Sequence, residues 1–427
     1  MRRNHSPLTI ILSISILLAL QGSAVLAASA PGDVTLPITL TNTLAVNPVD
    51  SWSLAAQMDS ARGMHTATGL NNGKVLVVGG YPGDYGGLLN PQLYDPASDT
   101  WSYAGKIDAS TAFQTNFYYH TATLLKSGKV LVVGGETYNT MSASNSPNVS
   151  FLKSGMLYDP ASNTWSFAGH TTDFRVFHTA TLLDNGQVLV TGGNTGADQN
   201  PSLITAELYD PTTNTWHAAA SMTIARQRHF AILLPSGKVL AGSGTASDYQ
   251  APLVSTELYD PETNKWSPGG DLVTAHLGVT PILLPNGKVL VVGGSNPSSW
   301  QKAELYNPVT NTWSPAADTP AVRMYYTITL LKTGQVLVAG GQAGLSSEIT
   351  KLNAELYTPW TNTWTAAAQL HMPHYEAAAV LLPSGQVLLT GGYDTDSITR
   401  VYTKGVELYS PLDEGLTNHV YLPLIGR

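Results

Sequence analysis

Gln187-Val-Leu-Val-Thr-Gly-Gly193, followed by Ala206-Glu-Leu-Tyr-Asp-Pro211 and Asn214-Thr-Trp216, is the stretch that decides the fold. Before it, His178-Thr-Ala-Thr-Leu-Leu183 reads as a strand, and Asp184-Asn185-Gly186 as the tight turn of a hairpin. Gln187 to Gly193 is then a second strand, Ala206 to Tyr209 a third, and Trp216 opens a fourth after the Asp-Pro turn. The same sentence occurs seven times. Its second glycine falls at Gly80, Gly135, Gly193, Gly244, Gly294, Gly341 and Gly392, at intervals of 47 to 58 residues. Tyrosines recur at 94, 158, 209, 259, 306, 357 and 409, and tryptophans at 52, 101, 165, 216, 266, 313 and 364.

A period near 50 with four short strands per copy is that of a β-propeller blade. The second strands, such as Val75 to Val78 and Val289 to Val292, are apolar on both faces, as strands packed between neighbouring blades must be. The ends of the array complement each other. Trp52 opens a lone strand with no hairpin before it, while the last copy stops at Glu407-Leu-Tyr-Ser-Pro411 without its tryptophan. The expected fold is therefore all-β, a seven-bladed propeller over residues 48–411, closed by an N-terminal strand (Ser51 to Ala56) that completes the last blade. Closure removes the edges an open array would expose.

Flanking segments carry separate messages. Arg2 and Arg3 precede an apolar run from Leu8 to Leu20, and Val25-Leu26-Ala27 offers the small residues of a cleavage site. Residues 1–27 are expected to be a secretory signal peptide and 28–47 a linker, so that the chain meets a membrane only during export and is secreted or at the cell surface. Residues 412–427 form a tail, His419-Val-Tyr-Leu-Pro-Leu-Ile-Gly-Arg427, that resembles short sorting motifs of secreted bacterial proteins.

Composition narrows the partners. There is no cysteine, so disulfides and lipids attached through cysteine are excluded. Without Arg2 and Arg3 the chain keeps 19 basic against 29 acidic residues and no basic run, which argues against nucleic acid. A monomer with a glycan or protein ligand, and no cofactor, is the expectation.

The double glycine after an apolar strand, the tyrosine, and the tryptophan about seven residues later resemble the kelch repeat family, over about residues 50 to 411. Blade four departs with Gly242-Ser243-Gly244, where Ser243 is small enough to be accommodated. The segment Arg175-Val-Phe-His178 also resembles the Arg-x-Tyr-His segment that gives galactose oxidase-like enzymes two copper ligands. Phe177 stands where that resemblance places a ligand tyrosine. Tyr325 resembles the position of the radical tyrosine, but its thioether partner cannot exist in a chain without cysteine. Such a carbohydrate-active enzyme is the alternative to a non-catalytic binding module.

Strand parity puts the hairpin turns and the Asp-Pro turns at one end of every blade. Loops between the second and third strands, and links between blades, lie at the other end. The first end is uniform and the second varies, so the second is the expected binding face. Its candidate ligand-binding residues are Tyr81, Asp84, Tyr85, Tyr138, Tyr249, Trp300 and Tyr393, with Phe113, Phe151, Asp248, Asp394 and Asp396 nearby. Arg62, Arg175, Arg226 and Arg323 form a further column, continued by His276 and His374 and broken by Phe117. It fits either an anionic ligand or interblade carbonyls and acids. His65, His120, His178 and His229, at the start of the innermost strand, leave metal binding open against a structural role. The Asp-Pro column, replaced by Asn307, Thr358 and Ser410 in later blades, reads as turn chemistry.

Overall fold

A computed structural model describes residues 50–83, 89–107, 116–139, 148–196, 201–248, 250–342, 353–394 and 401–412, all within the unit Val49–Arg427. The expected signal peptide, the linker and nearly all of the tail lie outside the described residues. Among the described residues, seven four-stranded antiparallel sheets follow one another along the chain. Blade three, for example, runs Thr179–Leu182, Val188–Thr191, Ala206–Asp210, Thr215–Ala219 from the axis outward. Every second strand is buried throughout, as its apolar sequence requires. Among the described residues there is no α-helix, and no helix long and apolar enough to cross a membrane.

Innermost strands of successive blades lie side by side, and Thr66–Gly69 of blade one also adjoins Ala378–Leu381 of blade seven. Blades four and five share one apolar cluster containing Phe230, Leu240, Val289 and Trp313. The sheets therefore form a closed ring.

Outer strands explain the Tyr and Trp columns. Tyr209 faces Trp216 across the third and fourth strands, and the same pairing recurs in every blade with ring centroids 5.0 to 5.2 Å apart. Such tilted pairs contribute about 0.5–1.5 kcal/mol beyond their burial. Six of the indoles also donate Nε1–H to a main-chain carbonyl of the preceding blade, as Trp216 does to Ala168.

The Asn of Asn-Thr-Trp has three tasks. It sits in the left-handed region, with φ of 54–57° at Asn163, Asn214, Asn311 and Asn362, which asparagine tolerates better than most residues. Its Oδ1 accepts the tyrosine hydroxyl, as in Tyr209–Asn214 at 2.8 Å. It also accepts a main-chain N–H from the preceding blade, as Asn264 does from Ala220 at 2.8 Å.

Blade seven lacks this asparagine and obtains its substitute from the other end of the chain. Ser51–Leu54 pairs with Val406–Ser410, setting Trp52 opposite Tyr409. Asp50 Oδ2 accepts the Tyr409 hydroxyl at 2.7 Å and the Ala368 N–H at 3.0 Å. Asp50-Ser51-Trp52 is thus a displaced Asn-Thr-Trp, and the sequence reading had missed the aspartate.

Removing the buried Trp52 side chain (Trp52→Ala) should cost about 3–5 kcal/mol. Asp50→Ala should cost about 1–3 kcal/mol by stranding a buried hydroxyl, with Asp50→Asn near wild type. Chemical denaturation checks all three, and a wild-type midpoint for Trp52→Ala would contradict closure by this strand.

Candidate functional site at the axial opening

The double glycines set the spacing between blades. A Cβ on Gly79, Gly134, Gly192 or Gly391 would lie 2.6 to 2.8 Å from Cε1 of the next blade's column histidine. A Cβ on any of the seven second glycines would lie 2.5 to 2.8 Å from a carbonyl oxygen of its own interblade link. No side chain fits in either place. Ser243 replaces a first glycine only where the next blade presents Val279 in place of a histidine. The second glycine also donates its N–H across the seam, Gly135 to Arg175 O and Gly193 to Arg226 O, both at 2.8 Å.

Residues whose carbonyls receive those bonds are the basic column. Arg62, Arg175, Arg226 and Arg323 are 0–1 % exposed. Arg175 donates to Gly192 O at 2.9 Å, Thr205 O at 3.1 Å and Glu207 Oε1 at 2.8 Å. Arg226 repeats this with Ser243 O, Ser255 O and Glu257, and Arg323 donates to Gly340 O and Asn353 O while forming an ion pair with Glu355 at 3.4 Å. His276 and His374 do the same with Glu304 and Glu407. Arg62 meets the neutral Gln92, and burial pulls its guanidinium down to about 10. Blade two replaces both partners at once, with Phe117 and Met156 in a single apolar cluster. The column is a latch between each blade's innermost link and its own third strand. Its guanidinium groups are committed to protein acceptors rather than presented on the variable face.

The histidine column is also turned into the seams. His120 Nε2 meets the Thr66 hydroxyl of the preceding blade at 2.9 Å, and His178 meets Thr121 at 3.0 Å. His65 meets Thr390 at 2.8 Å, and His229 meets Thr179 and Thr191, both at 3.1 Å. In blade six the Tyr326 hydroxyl reaches back in the same way, to Val292 O. Burial lowers the pKa of His120, His178 and His229 to about 3, and drives His65 down as well.

Between latch and histidine lies a column that the sequence reading did not isolate: Met64, Tyr119, Phe177, Arg228, Gly278, Tyr325 and Glu376. All seven have positive φ, between 52 and 65°. That is a strained conformation for bulky residues, here repeated by design in every blade. Main-chain bonds connect the column around the axis, from Arg228 N–H to Phe177 O and Gly278 N–H to Arg228 O, both at 3.0 Å. Met64 and Glu376 bond likewise to Glu376 O and Tyr325 O. The left-handed turn swings each side chain out of the wall. Tyr119, Phe177 and Arg228 are half-buried, while the residues on both sides of each are buried.

These side chains converge across the axis. The Tyr119 hydroxyl of blade two is held neutral well above its usual range, first by burial and then by Glu376 of blade seven, against the opposing charge of Arg228 of blade four. Glu136 is also pushed up by burial, against a hydrogen bond from Tyr118 and the charge of Arg228. An aromatic belt surrounds the opening: Tyr325–Tyr375–Tyr393–Tyr402–Tyr81–Tyr118–Tyr119–Phe177, with successive centroids 4.2 to 5.6 Å apart. Arg228 ends it, its guanidinium carbon 4.2 Å from the Phe177 ring centroid. The gap falls at blade five, on Gly278.

The expected variable face is therefore assembled, with a different membership. Bridges such as Gly63 to Tyr81 and Tyr375 to Tyr393 confirm that interblade links and second-to-third loops share one end. Tyr81 and Tyr393 belong to the belt, Tyr393 as a buried backing residue. Trp300 follows the short 3-10 turn Pro297–Ser299 and is half-buried, outside the belt's ring contacts. Phe151 packs over Gly196 as a loop anchor. Asp248 accepts from Gln227 at 2.9 Å. Tyr138 and Asp394 lie on strands, Glu136–Asn139 and Tyr393–Asp394. Asp84, Tyr85, Phe113, Tyr249 and Asp396 lie outside the described residues. At the uniform end, Asp95, Asp159, Asp210 and Asp260 accept N–H groups two residues on, the expected turn role.

Residues 48–228 match the attractin/LZTR1 β-propeller family, and residues 283–320 match the Kelch motif. These two matches support a kelch-type β-propeller family for the chain. Galactose oxidase of Gibberella zeae is 27% identical, over 44% of this chain and 37% of the enzyme. Human Kelch domain-containing protein 1 is 30% identical over 22% of each chain. The kelch propeller described here thus spans well under half the length of the curated relatives it matches. A copper-bound fungal alcohol oxidase of the AA5 family shares the fold, with a TM-score of 0.66 and 18% identity over 85% of this chain and 77% of that one.

Copper does not fit the corresponding residues of this propeller. His178 is bound to Thr121 inside a seam with Phe177 beside it, and among the described residues no group of three or more His, Asp or Glu is placed to hold a metal.

Two outcomes follow for the latch and the histidines. Glu207→Met, which strands the buried Arg175, should cost about 3–5 kcal/mol, and adding Arg175→Phe to recreate the blade-two pair should recover part of it. The depressed histidine pKa values mean that the unfolded chain binds protons first as pH falls below about 6.5. Thermal stability should therefore fall between pH 6.5 and about 3, and His178→Gln should flatten that slope in unfolding scans.

Proposed function

We propose that this kelch propeller is a non-catalytic binding module, exported to the cell surface or beyond, which holds a glycan or protein ligand at the axial opening of its variable face. The observation that carries this reading is the divided use of its polar groups. Latch arginines and column histidines are consumed by the seams, whereas the left-handed column places Tyr119, Phe177, Arg228, Tyr325 and Glu376, all half-buried, around the axis. A concave site with aromatic walls and a few convergent polar groups is the usual form of a ligand pocket.

The competing reading is a galactose oxidase-like enzyme, favoured by the likeness to the Gibberella zeae protein over part of the chain. Against it stand the withdrawn histidines and the absence of cysteine. Metal analysis of protein prepared without chelator, run beside a glycan and protein array, separates the two. We expect a ligand on the array that is lost in Tyr119→Ala, and no stoichiometric metal. One copper or zinc per chain, lost in His178→Ala, would overturn the binding-module reading.

A further inference from the structure

We propose that the axial opening is a subsite for a sugar residue bearing one carboxylate, with the carboxylate on Arg228 and the sugar ring against the tyrosine belt. This inference rests on the binding-module reading and names its ligand class.

Arg228 differs from every other described arginine. Arg62, Arg175, Arg226 and Arg323 each donate two or more hydrogen bonds to protein acceptors. To the described residues Arg228 donates no side-chain hydrogen bond; its buried Nε lacks an acceptor, as do those of Arg62, Arg226 and Arg323. Its place is nevertheless fixed. The backbone is pinned on both sides by the axial main-chain bonds, and the guanidinium is stacked on Phe177. Stacking occupies one face of the group and leaves its edge of N–H donors, the fork that matches a carboxylate with two parallel bonds.

The rest of the opening selects what carries the carboxylate. Glu136 and Glu376 act on Tyr119 together with Arg228, so acceptors for hydroxyl groups accompany the guanidinium. A polyanionic peptide would meet these two carboxylates. A hexuronate offers one negative charge, several hydroxyl donors, and an apolar ring face suited to Tyr119 or Tyr325.

Space is available beside Arg228. Gly278 is the one copy of the left-handed column without a side chain, and a Cβ there would approach nothing nearer than Ser295 Oγ at 3.7 Å. Thr280, two residues on, is exposed, and the first strand of blade five is reduced to Ile282–Leu283. The notch between Arg228 and Tyr325 is the seat we assign to the sugar.

The test is calorimetric titration of the chain with methyl galacturonide and methyl glucuronide, against methyl galactoside and hexaglutamate. We expect at least one uronide to bind about tenfold or more tightly than the neutral sugar, the usual effect of a charged hydrogen-bonded pair. Arg228→Ala should reduce the uronide to the level of the neutral sugar, with Arg228→Lys intermediate. Gly278→Tyr, which restores the side chain that blades two and six carry at this position, should block the uronide while keeping one cooperative unfolding transition, at a lower melting temperature set by its left-handed backbone. Equal affinity for neutral and acidic sugars, or uronide binding unchanged by Arg228→Ala or Gly278→Tyr, would overturn the proposal. Binding of hexaglutamate alone would overturn the sugar class. Silence of both uronides beside an array hit of another kind would sink this inference and leave the binding-module reading standing, whereas stoichiometric copper would sink that reading itself.

Discussion

Everything in this ring depends on how closely neighbouring blades approach at the double glycine. The first glycine leaves room for the next blade's imidazole, and the second for the carbonyl of its own link. With the Cβ atoms gone, a main-chain N–H can cross the seam to the latch residue. Once that spacing is set, the latch residue's side chain must satisfy itself inside its own blade. The third-strand glutamate is there to receive it. Histidine, threonine, latch and glutamate are thus consequences of one steric requirement. That is why blade two can exchange a whole latch for Phe117 and Met156, but not its glycines.

Closure follows from the same economy of contacts. In five of the seven blades one acceptor binds both the tyrosine hydroxyl and a neighbour's N–H. Asp50 supplies it for blade seven, from more than 350 residues away along the chain. The N-terminal strand is therefore an integral part of the last blade, and joining the two ends converts an array of weakly independent repeats into a cooperative unit.

Most of the scaffold was legible in the sequence because it is written seven times. The Tyr, Trp, Gly-Gly and Asp-Pro columns announced their roles by repetition, and the incomplete ends announced closure. The site was legible only in outline. Loop variability points to Tyr81 and Tyr393, which line the belt, but not to a single position inside the short link. Met64, Tyr119, Phe177, Arg228, Gly278, Tyr325 and Glu376 differ in nearly every copy while the positions two before and one after them are mostly constrained. That contrast was the available signal. What sequence could not supply was the left-handed backbone that turns this column towards the axis. Nor could it distinguish Arg226 from Arg228, two residues apart, one sealed in a seam and the other presented to the opening. Arg62, Arg175, Arg226 and Arg323 stand out in the sequence because they recur, and they recur because they are structural.

That pair of arginines gives the most direct test of the account. Thermal unfolding of Arg226→Ala and Arg228→Ala, measured side by side with wild type, asks whether repeated columns build the ring and the divergent column serves the opening. The account predicts a clear fall in melting temperature for Arg226→Ala, which strands the buried Glu257, and a wild-type melting temperature for Arg228→Ala. Equal destabilisation of the two variants, or a greater loss in Arg228→Ala, would contradict it.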